Sequence, residues 1–593
     1  MFIRSYKRKK NGKWHQYFSV VENRRLAKDK TVQRTVLYLG EITSSQENSW
    51  RKTLEVFDAD TGKTQQKLLF ADKHVITESD IDSIRVKLSG MQLCRPRSFG
   101  ACWLACELWQ KLGLDEFWSQ RLDDMRCDIS WSKVLKLLAV NRLIQPGSEF
   151  YIHRQWFDKN AMDELLNTDY RIASKDRLYR CLDRILEHKR DLCRHLKSRW
   201  EDMFGIEFDV LLYDLTSTYF EGLCGQNPKA RFGYSRDGRC DCRQVVIALI
   251  VTPEGFPIGY EVLPGNTLDK TTVRFFLKKI ESMYGKARRV WVMDRGIPTE
   301  DVLLQMRDEG IQYLVGTPRA MLNKLEDKLL DLDWKQANDN VMVKLLAEDN
   351  ELYVLAKSKD RRAKERAMRK YKLRKYLQGL TKLRKNCRNR DRLMERLGAL
   401  KQQTGKSAKC VDITIPPQGS PVTQENFTYH LNKDVYKRMM LRDGMYLLRT
   451  NITETAPDVV WQRYVLLTQV EAAFRCLKSD LAVRPVYHQL EHRVEAHIFV
   501  AFLAYCLMVT LHQKLRYHAP GLTGRDVLDK LGSIVMIDVR IPTNDGRILQ
   551  MRRYSQPELE QRIILDKLDV KLPKQPPPKI YSHQLNDQLC GGN

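Results

Sequence analysis

Between Phe208 and Gly316 the chain alternates short apolar runs, turn signals and amphipathic stretches in an order that few folds accept. Phe208 to Tyr213 is mostly apolar and runs straight into Asp214. Arg243 to Thr252 and Pro257 to Leu263 form a second pair of strands around the turn signal Thr252-Pro253-Glu254-Gly255. Asp269 to Tyr284 carries Thr272, Val273, Phe276, Leu277 and Ile280 on one side, as a helix would. A strand over Arg289 to Asp294, a helix over Thr299 to Glu309 and a strand over Ile311 to Gly316 complete the order β-β-β-α-β-α-β. Three antiparallel strands followed by alternating helix and strand predict a mixed α/β sheet with flanking helices.

That order is the one of an RNase H-like sheet, although other α/β folds share parts of it. In such a sheet the strands that lead into Asp214 and Asp294 lie side by side. An acidic residue at the end of a buried strand is ordinarily structural, so the two gain weight only as a pair. Two neighbouring carboxylates are unfavourable unless a cation or a proton offsets them. Mg²⁺ prefers oxygen ligands and keeps water positions open, which suits carboxylates plus a phosphate. Two such ions activate an attacking oxygen and stabilise a leaving one. A third carboxylate is expected from a helix, and Glu471 supplies it. Leu467, Val470, Phe474, Leu477 and Leu481 make a core stripe at helical spacing. Glu471, Arg475 and Lys478 follow at i, i+4 and i+7 beside that stripe. The plain alternative is an ordinary i,i+4 ion pair.

Tyr464, Glu471 and Lys478 also have the spacing of the Y-x2-R-x3-E-x6-K signature. With Asp214-Leu-Thr216-Ser217, Gly265-Asn266-Thr267, Asp294-Arg295-Gly296 and Leu448-Arg449-Thr450-Asn451, the stretch from about residue 206 to 515 resembles bacterial insertion-sequence transposases with a DDE triad. The signature Arg position is Leu467 here, which the periodicity assigns to the core stripe. The resemblance implies an RNase H-like catalytic core with an insertion between the second Asp and the Glu. It implies two Mg²⁺ ions, with Mn²⁺ as a substitute, on Asp214, Asp294 and Glu471. It implies double-stranded DNA as partner, both element ends with terminal inverted repeats and target, nicked and then joined through a free 3′-hydroxyl. Tyr464 and Lys478 would contact DNA near the cleaved end, with Arg475 and Arg295 as further DNA-binding residues. Family members act as homodimers or larger synaptic complexes in the cytoplasm, at the nucleoid. Two rivals stand beside this reading: a nuclease of the same fold without strand transfer, and an inactive DNA-binding relic.

The charge agrees with a polyanionic partner. The 593 residues carry 101 Lys+Arg against 74 Asp+Glu, a formal +27. Residues 357–401 alone hold 19 Lys+Arg and four Asp+Glu. That helix-prone stretch reads as an arm along a phosphate backbone, against the alternative of a solvated charged helix pair. A membrane is not expected, because the best apolar run, Ile498 to Leu511, falls short of the about 20 residues a bilayer needs. Scattered cysteines suit reduced thiols, and Cys224, Cys240 and Cys242 lack zinc-ligand spacing. There is no G-x-x-x-x-G-K-[ST] loop for ATP.

The expected organisation is as follows. Residues 1–95 form a β-rich basic region, with strands at Phe2–Lys7, Trp14–Val21 and Thr31–Gly40 that either lie on DNA or are a solvated basic surface. Residues 96–205 are helical, either a DNA reader or a plain bundle. Residues 206–320 and 457–520 are the two parts of the core, 321–456 the insertion, and 521–593 a C-terminal region ending in an extended, disordered Pro/Gly tail.

Overall fold

The computed structural model describes residues 2–10, 13–25, 31–40, 86–123, 129–285, 289–294, 296–317, 325, 328, 332–452, 456–543 and 546–581. The chain divides into two compact units. One holds Phe208–Leu215 and Thr267–Val470; the other holds Met1–Glu207, Thr216–Asn266 and Glu471–Asn593.

The first unit is built on the large sheet, whose nine strands are numbered β1 to β9. They are Val210–Tyr219 (β1), Gln244–Val251 (β2), Pro257–Pro264 (β3), Val290–Met293 (β4), Gln312–Gly316 (β5), Lys335–Asn338 (β6), Val341–Glu348 (β7), Glu351–Ser358 (β8) and Met445–Thr450 (β9). Within this unit the order is β6-β7-β8-β9-β5-β4-β1. β1, β4 and β5 run parallel, joined by helices Val273–Tyr284 (α1) and Glu300–Asp308 (α2). In the second unit the later half of β1 is followed by the antiparallel pair β2 and β3. The strand order β5-β4-β1-β2-β3, with parallel β1, β4 and β5, is the RNase H-like arrangement the sequence pattern predicts. The four residues of β4 and all eight of β2 are buried, as expected of strands covered on both faces.

One expectation needs correction. β1 does not end at Asp214 but continues to Tyr219. Thr216 and Thr218 are β-branched, which favours a strand, and the buried Ser217 Oγ accepts the Arg236 N–H at 3.2 Å while Thr218 Oγ1 donates to the Val483 carbonyl at 3.5 Å.

The insertion departs further. It begins with antiparallel strands β6, β7 and β8 that lengthen the sheet, and it returns through β9, which pairs with β8 and β5. The β7–β8 hairpin turns on Asp349 and Asn350, both at positive φ (53° and 59°), the geometry a two-residue type I′ turn requires. The first two helices between β8 and β9, Lys359–Asn386 (α3) and Arg390–Thr404 (α4), have their own core of Leu373, Tyr376, Leu380, Leu383, Leu393 and Leu397.

In the second unit the central element is the helix Glu491–His518, labelled α7 below after α5 (Pro457–Val465) and α6 (Leu467–Arg475). α7 is long and apolar enough to cross a membrane, yet 94% of its most apolar window is buried inside the fold. β3 lies against it through Tyr260 and Phe502, with ring centres 4.6 Å apart, and Tyr505 donates to the Gly255 carbonyl at 2.7 Å. Helices Gly100–Lys111, Trp131–Ile144 and Lys189–Phe204 pack around it, Trp200 donating to Thr510 at 3.0 Å. The helical stretch before residue 205 is thus part of this unit's core. Three strands at Phe2–Lys10, Lys13–Arg25 and Thr31–Gly40 form the expected N-terminal sheet.

The tail is also more ordered than expected up to residue 581. Tyr554 Oη and Arg553 donate to the carbonyls of Pro573 and Pro576, and Lys579–Tyr581 adds a strand beside Ile548–Tyr554. Prolines lack an N–H but keep their carbonyls, so an extended Pro-rich run can be held by donors from a neighbouring strand. Residues 582–593 lie outside the described residues.

Candidate active site

The parallel register of β1 and β4 pairs Tyr213 with Met293. Asp214 and Asp294 are each one residue beyond that pair, Asp214 still within β1 and Asp294 just after the end of β4. Side chains alternate between the faces of a sheet, so the residue before each Asp points the other way. Tyr213 is fully buried toward α1, donating to Thr272 at 2.6 Å and packing on Phe276. Asp214 is therefore on the face away from α1, half-buried, with Oδ1 accepting the Leu215 N–H at 2.7 Å. Asp294 is exposed.

β4 stops at Met293 because the chain must turn into α2. Gly296 takes φ 87°, a conformation costly for any residue with a Cβ, and Thr299 caps α2 by accepting from the Val302 N–H. The first turn of α2 is held from the insertion. Arg449 on β9 donates from one Nη to both oxygens of Glu300, at 2.8 and 2.7 Å, and from Nε to Glu351 at 2.5 Å. Glu351, only 1% exposed, also receives Arg307 at 2.5 Å and the Tyr313 hydroxyl. Asn451 ties the same strand end to Ile311 and Tyr313. The Leu448-Arg449-Thr450-Asn451 motif thus braces the strand and helix that flank Asp294.

Glu471 is exposed on α6, in the second unit. Val470, Phe474, Leu477 and Leu481 are buried, as the expected stripe requires. The helix does not run through Leu481 as one regular α-helix. A π-helical turn over Cys476–Asp480 follows α6, and residues 481–490 are not helical. Ala482 has φ 43°, and Pro485 lacks the N–H that a helix interior needs. The wider turn carries Lys478 off the face of Glu471 and Arg475. Its ammonium donates to the nearly buried Asp237 at 2.7 Å, and Arg484 contacts the same carboxylate. Burial pulls the Lys478 pKa below its ordinary value, against the attraction of Asp237. The segment after the π turn is hydrogen-bonded to the end of β1, Val486 N–H to Tyr219 and Glu221 N–H to Val486, at 2.9 and 3.0 Å.

Arg475 is exposed, one turn beyond Glu471. Tyr464 lies on α5 and Leu467 opens α6, but their side chains fall outside the described residues, as does Arg295 entirely. Asp237, Glu300 and Glu351 were missed by sequence reasoning. Each sits in an ordinary polar context, and only Glu351, just after a two-residue turn and opening the apolar run Leu352-Tyr353-Val354-Leu355, carried a signal of burial.

A second acidic cluster, Glu149 with His488 and His497, has metal-ligand proximity. His497 is already committed at both nitrogens, Nδ1 facing Arg142 at 3.3 Å and Nε2 facing the Val483 carbonyl at 3.3 Å. The arginine can only donate, so Nε2 carries the hydrogen and the ring is neutral. This is a hydrogen-bonded brace rather than a metal site. Burial, then Arg142, hold the His497 pKa well below its ordinary value. Burial would raise Glu149, but His488 and His497 bring it to about 2. Both groups are depressed, so the unfolded chain binds more protons as pH falls and stability drops, through His497 below about 6.5 and through Glu149 from about 4.5 downward. Urea unfolding at pH 7 and 5.5 is expected to show a loss approaching about 1.4 kcal/mol per pH unit at its steepest, reduced in His497→Gln. An equal loss in both proteins would show that the ring is protonated in the fold.

Residues 208–507 match the family model described as the transposase DDE domain. No curated protein matches the chain. Among solved structures the chain is similar to a piggyBac transposase in a synaptic complex with hairpin DNA. The identity is 8% over 76% of this chain and 82% of that chain, with a TM-score of 0.33.

Proposed function

The chain belongs to the transposase DDE domain family, and from that premise we propose that it cuts and joins double-stranded DNA at the ends of an insertion sequence, with Asp214, Asp294 and Glu471 as ligands of two Mg²⁺ ions that Mn²⁺ can replace. The observation that supports it most is the parallel pairing of Tyr213 with Met293, the residues directly before Asp214 and Asp294. The two carboxylates, neither fully buried, are hard oxygen donors of the kind Mg²⁺ prefers. Glu471 is proposed as the third ligand on its place in the Y-x2-R-x3-E-x6-K spacing. When bound, the ions activate the attacking water or 3′-hydroxyl and stabilise the leaving oxygen.

The protein's own residues prepare that chemistry. Parallel β1 and β4 hold side by side the residues that precede the two carboxylates, and Arg449, bound to Glu300 and Glu351, braces the start of α2. Arg475, exposed one turn from Glu471, is placed on that helix to meet a phosphate. Arg295 and Tyr464 are proposed as further contacts, and Lys478 as a residue that reaches DNA only by exchanging Asp237 for phosphate. The ends of the element, its target and at least two copies of the chain assemble together in this reading, in a bacterial cytoplasm.

The test incubates the full chain with a plasmid target and a duplex bearing a terminal inverted repeat and a free 3′-hydroxyl. Joined product is expected with Mg²⁺ or Mn²⁺ and none with EDTA. Nicks without joining favour a nuclease of the same fold. Tight end binding with neither product under any metal favours an inactive relic.

A further inference from the structure

Helix α3 separates its side chains into two faces. Leu373, Tyr376, Leu380 and Leu383 are buried in the core shared with α4. Opposite them Lys364, Tyr371, Lys375, Gln378, Lys382 and Lys385 recur at steps of seven, four, three, four and three, which places them along one line. All six are exposed, and every one can donate a hydrogen bond. From residue 366 to 390 there are 11 Lys+Arg and not one Asp or Glu. Some of these cations serve the fold: Arg369 pairs with Asp443, Arg384 lies over Tyr429, and Arg390 donates to the Pro416 carbonyl. Among the described residues, the four lysines of the line have no ion pair.

A helix stabilised for its own sake mixes signs at i,i+4, because like charges there cost a few tenths of a kcal/mol per pair. This helix places Lys370 before Arg374 and Lys382 before Lys385, and among the described residues none of the four has an ion pair. An external polyanion would offset them. We propose that this line is a sequence-independent docking surface for the phosphate backbone of double-helical DNA, distinct from the catalytic carboxylates. It rests on the proposed function only for the identity of the polyanion. The line extends for 21 residues, about 32 Å, or about nine base pairs at 3.4 Å each. Lysine, tyrosine and glutamine are among the side chains that bind phosphate oxygens without reading bases. A membrane surface suits it poorly, because an interfacial helix needs an apolar face and that of α3 is already buried against α4.

The test measures binding of the full chain to a duplex unrelated to any element end, from about 50 to 200 mM NaCl. The triple variant Lys375→Ala/Lys382→Ala/Lys385→Ala is compared with wild type and with the triple Lys→Arg variant. At about 0.9 per lost phosphate contact, the slope of log K against log salt is expected to fall by up to about 2.7 in the alanine variant and to persist in the arginine one. An unchanged slope overturns the proposal. So does a loss confined to phosphatidylserine vesicles or to duplex RNA. Because strand joining is not read, failure of the catalytic assignment leaves this measurement standing, and the reverse holds for a cleavage assay.

Discussion

Asp214→Asn is expected to bind duplex DNA as wild type does and to cut it at least about 10³-fold more slowly, since loss of even one preorganised stabilising group costs about 10²–10³. Asparagine is nearly isosteric, and its carbonyl can still accept the Leu215 N–H that Asp214 Oδ1 accepts at 2.7 Å. What it lacks is the negative charge that a hard divalent cation requires. Asp294→Asn is expected to behave alike, and the double variant to be scarcely worse than either, because groups that act as a unit are not additive. Stability supplies a second readout. In EDTA, removing one of two neighbouring carboxylates relieves repulsion, so the variant is expected to melt no lower than wild type. With Mg²⁺, wild type gains stability through binding to its folded state and the variant does not. Cutting at the wild-type rate by Asp214→Asn would end the assignment.

Glu351→Gln is the substitution expected to cost most in stability. This carboxylate is 1% exposed and receives Arg449, Arg307 and the Tyr313 hydroxyl. Glutamine fills the same space but leaves Arg307 without its carboxylate and Arg449 with Glu300 alone. Breaking a buried ion pair from one side costs about 3–5 kcal/mol. At about 2–4 °C per kcal/mol for a domain of this size, the unit is expected to melt roughly 6–20 °C lower. Cleavage should fall too, since Arg449 also holds Glu300 at the start of α2, just beyond the turn that follows Asp294. The double variant Glu351→Gln/Arg449→Gln is expected to regain part of the loss, as one unpaired cation is removed. A melting temperature within 2 °C of wild type, about the effect of 1 kcal/mol or less, would mean that the cluster is open to water.

The sheet was legible because its strands are apolar on both faces and its turns carry their own residues. Val290-Trp291-Val292-Met293 and Gln244–Val251 are buried without exception, so periodicity and composition agree. That the strands leading into Asp214 and Asp294 lie side by side followed from strand order alone. The extension of β1 did not, because Thr216-Ser217-Thr218 reads as polar, and its burial depends on partners distant in sequence. Lys478 failed for a similar reason. Helical spacing puts it beside Glu471, but a π-helical turn cannot be read from a residue pattern, and Asp237 lies 241 residues away. Strands β6 to β8 went unread because the cationic helix after them dominates that stretch. The Asp349-Asn350 pair was the available signal, since both residues tolerate positive φ.

The chain leaves the sheet at Ser358 and rejoins it at Met445, which lies directly across from Lys357 on the neighbouring strand. For a lineage of such proteins, everything between is a cassette. It can be lengthened, shortened or exchanged without re-registering a single strand, because its two ends are already held together and closure entropy grows only slowly with length. The strands carrying the acidic residues are inherited under one set of constraints and the cationic hairpin under another, so the two can diverge at different rates within one gene.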